Sequence, residues 1–312
     1  MPRHLISIAD LTGKELRQLV TRGLEFKAKI RAKNFDNARP LNGQQVALLF
    51  NKLSTRTRIS TEGAAVYLGA SPMFLGKNDI QLGTNESLYD TTVVISSMTS
   101  AIVARVGPHS DIQALAKDSR VPVINALCEK FHPMQAIADA ITIKEAFGDF
   151  KSLKLAWVGD ANNVLHDLAL ACVKLGISVS VATPTEYPVS EEIKKLINKH
   201  NETGVDVSYT ADPKQAVSGA DIIVTDTWVS MGQESEKALR IKQFSGYQVT
   251  TELGLAANKD WKFMHCLPRK PEEVSDEVFY SDRSLVFEEA ENRLYSAIAV
   301  LDAFVAKEGV IE

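Results

Sequence analysis

The feature that most constrains the fold is a repeated pattern in which a short apolar run is followed by a polar stretch and then by a helix-like segment. Residues 46–50 begin one such unit, and residues 155–159 begin another after the middle of the chain. Apolar runs of this length are typical of strands buried on both faces of a parallel sheet. Because the alternation occurs in both halves, we predict an α/β protein with two domains, each a parallel β-sheet flanked by helices, joined by interdomain helices.

The length of the chain agrees with two domains, since 312 residues are many for a single hydrophobic core. The polar stretch at 148–153 is the predicted boundary, so the domains cover residues 1–147 and 148–289. A helix at 133–147 is expected to cross from one domain to the other. The segment 290–312 carries apolar residues at helical spacing and is predicted to pack back on the first domain.

The sequence Ser-Thr-Arg-Thr-Arg at 54–58 lies between a predicted strand and a predicted helix. The start of a helix presents backbone N–H groups and the positive end of the helix dipole. The guanidinium groups of Arg56 and Arg58 match phosphate oxygens in charge and geometry. Two arginines at this end oppose the dipole, and a bound anion would account for them. We therefore predict a phosphate site; the alternative is that Ser54 is only a helix cap and the arginines are solvated.

Further polar groups follow other predicted strands, where ligands collect in open α/β sheets. Arg105 ends one strand, and His132 and Gln135 flank Pro133, which suits the first position of a helix. Residues 159–163 stand where a dinucleotide-binding protein carries GxGxxG, and that fingerprint is absent, which argues against a dehydrogenase.

In the second half, Asp226 ends an apolar strand and is suited to bind an amino group. The adjacent asparagines Asn162 and Asn163 are either plain turn residues or hydrogen-bond partners for a zwitterionic ligand. Cys266 is either a buried thiol before a proline turn or a reactive thiol. No other histidine or cysteine lies at metal-ligand spacing from it, so no metal is expected.

Composition limits the partners. Lys and Arg number 35 against 39 Asp and Glu, which gives a net charge of −4 and no general attraction to nucleic acid or to an anionic membrane. No apolar run is long enough to cross a bilayer, so no membrane association is expected. The three cysteines show no CxxC spacing and indicate a reducing compartment.

Four of these motifs resemble, in order and spacing, those of the carbamoyltransferase family. They are Ser-Thr-Arg-Thr-Arg at 54–58, His-Pro-Met-Gln at 132–135, Asp-Thr-Trp-Val-Ser-Met-Gly at 226–232 and His-Cys-Leu-Pro-Arg at 265–269. The last two resemble the ornithine branch of the family. The amino-acid sequences at 159–163 and 287–293 are similar to those of eukaryotic, fungal members of the family. The resemblance runs from about residue 3 to the final helix.

The resemblance implies transfer of the carbamoyl group of carbamoyl phosphate to L-ornithine, giving L-citrulline and phosphate, as in arginine biosynthesis and the urea cycle, without a cofactor. It implies that carbamoyl phosphate is bound by Ser54, Thr55, Arg56, Thr57, Gln81, Arg105, His132, Gln135, Arg293 and the main chain of Cys266 and Leu267. It implies that ornithine is bound by Asn163, Asp226, Ser230 and Met231. The catalytic residues would be Arg105, His132, Asp226 and Cys266. Gln81 would reach into a neighbouring subunit's site, because members of the family form trimers with sites at subunit interfaces, and a homotrimer is expected.

Two alternatives stay open at this point. One is a carbamoyltransferase for another amine, such as aspartate, putrescine or an acylated ornithine; aspartate would require basic residues, whereas Asp226 favours a cation. The other is a non-catalytic anion-binding regulatory protein. We interpret residues 227–246 as a loop that closes over ornithine. The predicted location is the mitochondrial matrix, because the first predicted elements lie close to the start as in a trimmed precursor, with the cytoplasm as the alternative.

Overall fold

The computed structural model describes residues 2–34, 39–82, 85–230 and 234–312. The strands are β1 (Gln45–Phe50), β2 (Ser71–Gly76), β3 (Ala101–Arg105), β4 (Val123–Leu127), β5 (Lys154–Val158), β6 (Ser178–Ala182), β7 (Val207–Thr210), β8 (Ile222–Val224) and β9 (Lys262–Met264). The α-helices are α1 (Gly13–Arg31), α2 (Thr55–Tyr67), α3 (Leu88–Met98), α4 (His109–Asp118), α5 (Pro133–Phe147), α6 (Asn163–Leu175), α7 (Glu191–Lys199), α8 (Pro213–Val217), α9 (Lys237–Gln243), α10 (Thr251–Gly254), α11 (Asp276–Phe279) and α12 (Val286–Leu301). None of the described helices combines the length and the apolar composition that crossing a bilayer requires.

The chain divides into two compact units, residues 1–141 with 291–312, and residues 142–290. One division falls within α5 and the other within α12. The sequence placed these divisions at 147/148 and 289/290.

The first unit contains a four-stranded parallel sheet in the order β2–β1–β3–β4. Its central strand β1 is buried from Val46 to Phe50. Phe50 pairs with Arg105, so β1 and β3 end side by side. The residues that follow β1 therefore begin next to the last residue of β3.

The second unit contains a five-stranded parallel sheet in the order β7–β6–β5–β8–β9. The three strands β5, β8 and β9 are neighbours, and their carboxyl ends lead to Asp160, Asp226 and Cys266. The predicted class, two parallel sheets flanked by helices, is confirmed.

Capping residues fix the ends of several helices. Thr12 and Glu15 form the capping box that begins α1. The hydroxyl of Ser190 caps α7, and Gly176 ends α6 with a left-handed φ of 92°.

The structure differs from the sequence prediction in three places. The last α-helix begins at Val286, earlier than predicted, and passes into a π-helical turn at Asp302–Ala306. Helix α4 was not predicted, since only Ile112 and Leu115 of its ten residues are buried and its apolar stripe is short. The interpretation of 227–246 as a loop is wrong at Lys237–Gln243, which is helical; residues 231–233 lie outside the described part.

Candidate active site

The first candidate site begins where β1 ends and α2 starts. The Ser54 hydroxyl accepts a hydrogen bond from the Thr57 backbone N–H at 3.3 Å, so Ser54 is the helix cap. Thr57 is buried, whereas Arg56 is half-buried. The helix therefore starts with its positive dipole end and the Arg56 side chain on the same short segment.

Arg293 of α12 connects this segment to α5. Its guanidinium donates to the Thr57 hydroxyl at 3.0 Å and to Gln135 Oε1 at 2.6 Å. Gln135 Nε2 in turn donates to Asp139 Oδ1 at 2.8 Å, which fixes the orientation of the amide. A single buried arginine thus holds two predicted phosphate-site residues from distant parts of the sequence.

Three arginines surround His132. The pKa of His132 is held well below its ordinary value by burial, and next by the charges of Arg293, Arg105 and Arg56. The imidazole is therefore neutral near pH 7. Arg105, at 7% exposure, is itself buried. Three guanidinium groups that act on one buried neutral side chain repel each other, and an anion bound among them would relieve that repulsion.

The neutral state of His132 makes the stability of the chain depend on pH. The pKa of His132 in the folded chain lies below 6.5, its ordinary value, which also applies to the unfolded chain. At a pH between the two pKa values, the unfolded chain binds a proton on this histidine and the folded chain does not. The free energy of unfolding is unaffected above pH 6.5 and falls below it, by up to about 1.4 kcal/mol for each pH unit. We expect His132→Gln to flatten this slope between pH 6.5 and 5 in urea denaturation. Equal slopes in the two proteins would contradict a neutral His132.

The guanidinium group of Arg58 has partners within the protein that do not involve a bound anion. Its Nε donates to Glu62 Oε1 at 2.9 Å one helical turn away, and its guanidinium lies 3.7 Å from the centroid of the Phe74 ring. The sequence interpretation offered a bound anion to account for both arginines of the 54–58 segment, whereas in the structure Arg58 has Glu62 and Phe74 as partners. Arg56 is the arginine of that segment whose charge acts on His132.

The second candidate site lies at the carboxyl ends of β5, β8 and β9. Asp226, which is 5% exposed, accepts a hydrogen bond on each carboxylate oxygen. Asn162 Nδ2 donates to Oδ2 at 2.7 Å, and the Cys266 thiol donates to Oδ1 at 3.1 Å. Among the described residues, no cationic side chain pairs with this carboxylate. A buried charge with only neutral partners is costly, and a cationic ligand would compensate it.

Gly159 allows this close arrangement. Its φ of 143° favours glycine, and a Cβ at this position would lie 3.0 Å from Thr225 Oγ1 and 3.5 Å from Trp228 Nε1. The turn after β5 therefore approaches β8 closely, which brings Asn162 within reach of Asp226.

Beside Cys266, His265 holds the backbone of the same segment. Its Nδ1 accepts from the Leu267 N–H at 2.9 Å, and its Nε2 lies 3.0 Å from a carboxylate oxygen of Glu273. Since Nδ1 accepts, Nε2 carries the proton and donates. The potential ligand atoms of Asp226, His265 and Cys266 lie within 4.8 Å of one another. A metal there would take one ring nitrogen of His265 and displace the hydrogen bond at that nitrogen, and it would also displace the hydrogen bond between the Cys266 thiol and Asp226. As the side chains lie, the three residues form a hydrogen-bonded network.

Comparison with known proteins identifies the family. The family model described as "Aspartate/ornithine carbamoyltransferase, carbamoyl-P binding domain" matches residues 3–145, and the model described as "Aspartate/ornithine carbamoyltransferase, Asp/Orn binding domain" matches residues 151–304. The chain belongs to the aspartate/ornithine carbamoyltransferase family. The predicted resemblance to its ornithine branch, in the fungal form, is confirmed by the relatives described next.

The "Ornithine transcarbamylase, mitochondrial" of Pachysolen tannophilus is 58% identical over 99% of this chain and 90% of its own length. The crystal structure of a mitochondrial ornithine carbamoyltransferase from Coccidioides immitis is 55% identical, covers 100% of both chains and has a TM-score of 0.94. The ornithine carbamoyltransferase structure from Pyrococcus furiosus is 42% identical over 97% of both chains, with a TM-score of 0.93.

Four further residues that the family resemblance implies lie outside the contacts described above. Gln81 is exposed, and its Oε1 accepts from Asn85 at 2.7 Å. Asn163 is the first residue of α6, and Ser230 is the last described residue before 231–233. Met231 lies outside the described residues.

The sequence interpretation named neither Asp160 nor Arg240 for the second site in this carbamoyltransferase, and it left Asn162 open as a turn residue or a hydrogen-bond partner. Asn162, rather than Asn163, contacts Asp226. Arg240 of α9 forms an ion pair with Asp160 at 2.7 Å and donates to the Trp228 carbonyl at 2.6 Å. Burial raises the pKa of Asp160 against the effect of Arg240, and the nearby Asp226 charge adds to that rise. The position of Asn162 before an apolar helix was a capping signal, whereas nothing in the local sequence marks Arg240.

Proposed function

We propose that this chain is an ornithine carbamoyltransferase, which transfers the carbamoyl group of carbamoyl phosphate to the δ-amine of L-ornithine and releases L-citrulline and phosphate, in arginine biosynthesis. One observation favours ornithine as the acceptor. Asp226 is a buried acidic side chain whose hydrogen-bond partners among the described residues are the Asn162 amide and the Cys266 thiol. This arrangement suits a cationic amine, whereas an aspartate acceptor would bring a further carboxylate to it.

In this proposal the two ligands are assigned to different residues. Arg56 and Arg105, with the hydroxyls of Ser54, Thr55 and Thr57, bind the phosphate, and Arg293 binds the carbamoyl end. Arg105, His132 and Gln135, with the main chain of Cys266 and Leu267, bind the carbamoyl end, and Gln81 comes from a neighbouring subunit. Asn163, Asp226, Ser230 and Met231 bind ornithine.

The reaction itself requires little chemistry from the protein, because carbamoyl phosphate is already activated. The chain must align the δ-amine with the carbonyl carbon, which contributes about 7–11 kcal/mol in favourable cases. It must also stabilise charge on the carbonyl oxygen, where each well-placed donor contributes about 2.7–4 kcal/mol. Arg105 and a neutral His132 are the donors to that oxygen. An unperturbed alkylamine has a pKa of about 10, so the site must also bind the amine in its neutral, attacking form.

The deciding experiment is an assay of citrulline formation by the purified chain. Carbamoyl phosphate is supplied with ornithine, aspartate, putrescine or N-acetylornithine, and each carbamoylated product is quantified. We expect turnover with ornithine and at most trace product with the other amines. Preference for another amine, or no turnover with any of them, would reject the proposal.

Cys266 is assigned a positioning role rather than a covalent one, because its thiol donates to Asp226. We expect Cys266→Ala to retain residual turnover and to raise the KM for ornithine about tenfold, since a hydrogen bond to a charged group is lost. Cys266→Ser, which keeps a donor, is expected to recover most of that loss. Both variants are measured by initial rates with ornithine varied.

Labelled carbamoyl phosphate provides the opposing test for Cys266. A carbamoyl group trapped on the thiol of the native protein, found by mass spectrometry of its peptides, would show that the cysteine reacts covalently.

We also propose a homotrimer. What supports it is a set of exposed apolar side chains on α2, the edge strand β2 and α3: Ile59, Val66, Met73, Val94 and Met98. Exposed apolar side chains on one unit fit surfaces that other copies cover. Light scattering is expected to give three times the mass of one chain, and a monomer at micromolar concentration would contradict the assembly.

The proposed location is the mitochondrial matrix, with the cytoplasm as the alternative. The names of the Pachysolen and Coccidioides relatives include the word mitochondrial. Fractionation of cells that express the natural gene would test it, and recovery with cytoplasmic markers would reject it.

A further inference from the structure

Asn162 contacts two different parts of the second unit with the two ends of its side-chain amide. Its Oδ1 accepts from the Val164 N–H at 3.0 Å and from the Leu165 N–H at 3.2 Å, which starts helix α6. Its Nδ2 donates to Asp226 Oδ2 at 2.7 Å. Because Oδ1 takes two N–H groups, the amide has one orientation, and the NH₂ group must face the carboxylate.

This contact holds the second carboxylate oxygen of Asp226 in place. The Cys266 thiol holds Oδ1, and Asn162 holds Oδ2, so both oxygens of the carboxylate have defined partners. Since α6 packs as a buried helix, the amide that it orients is part of a rigid element. A charged group that must meet a ligand amine at hydrogen-bond distance gains affinity from such preorganisation.

Capping alone does not explain an asparagine at this position. Serine and aspartate cap helices about as well as asparagine, and aspartate also suits the helix dipole. Neither one offers an N–H donor to a neighbouring carboxylate. An aspartate would place a second negative charge next to Asp226, in a region where Asp160 already needs Arg240 as a partner.

We infer that Asn162 is a positioning residue that sets the affinity for ornithine by fixing the Asp226 carboxylate, in addition to its role as the cap of α6. The inference rests on the proposed function, since it assigns Asp226 to the cationic acceptor. Asn162 acts through Asp226, and direct contact with the ligand is not required.

The test uses substitutions that keep a capping oxygen and remove the NH₂ group that reaches Asp226. Asn162→Ser and Asn162→Asp both retain an oxygen for the α6 N–H groups, and both lose the NH₂ group. We expect the KM for ornithine to rise about tenfold or more in each variant, with the KM for carbamoyl phosphate within about threefold of wild type. Ser190→Ala is the matched control, because it removes the cap of α7 in the same unit. That control should lower the melting temperature and leave the KM for ornithine unchanged.

The outcomes separate this inference from the proposed function. An unchanged KM for ornithine in either soluble Asn162 variant overturns the inference, and so does an equal rise in both KM values, which indicates a merely structural role. If Asn162→Ser is insoluble, Asn162→Asp, which has the size of the native residue, decides. A wild-type chain without citrulline formation would instead reject the proposed function itself.

Discussion

Replacing Asp226 with asparagine is expected to lower kcat/KM for ornithine by about 10²- to 10³-fold, with carbamoyl phosphate binding close to wild type. In the described part of the chain, the hydrogen-bond partners of the buried carboxylate are Asn162 and Cys266, so no cationic side chain there competes with a cationic ligand. An asparagine removes that charge and places an NH₂ group opposite one of two donors. Initial rates with each substrate varied in turn, together with calorimetry of carbamoyl phosphate binding, measure the effect.

The same strand offers a control for this prediction. Asp221 precedes β8 at its other end, where it accepts from the Lys154 N–H at 2.8 Å and from Asn258 at 2.6 Å. Asp221→Asn should leave kcat/KM for ornithine near wild type. Similar losses in both variants would mean that the effect comes from damage to β8, and no loss in Asp226→Asn would remove Asp226 from the ornithine site.

Replacing Arg56 with glutamine is expected to raise the KM for carbamoyl phosphate about 30-fold or more, because a charge-assisted contact to phosphate is lost. Arg58→Gln, two residues further along α2, should change this KM by less than about threefold, since Arg58 is committed to an exposed pair with Glu62 and to the Phe74 ring. Rates with carbamoyl phosphate varied at saturating ornithine give both values. If Arg58→Gln is as damaging as Arg56→Gln, Arg58 binds the anion after all.

The parts of the fold that could be predicted from sequence are those that depend on local patterns. Buried parallel strands such as β1 and β8 are short apolar runs, and the caps at Thr12, Ser54 and Ser190 are visible from residue type and spacing. Because parallel strands end at one edge of their sheet, the grouping of Asp226 with Cys266 follows once β8 and β9 are neighbours.

Other features depend on side-chain directions that no local pattern encodes. The choice between Asn162 and Asn163 is decided by which residue is the cap of α6, and therefore by the exact start of that helix. Arg58 had the residue type of a phosphate ligand, but its position on α2 directs it to Glu62. Arg240 lies in a stretch whose composition is that of a loop, and only the tertiary fold brings it to Asp160.

The hydrogen bonds of Arg293 have a consequence for biosynthesis. They join residues that are separated by 158 and 236 positions, so the N-terminal segment of the first unit does not by itself supply all three arginines of the proposed anion site. During translation, strands β1 to β4 leave the ribosome long before α12. Synthesis of the last helix is therefore the step that would complete the proposed anion site. A chain that ends before residue 291 lacks one of its three guanidinium groups, however well its first sheet folds.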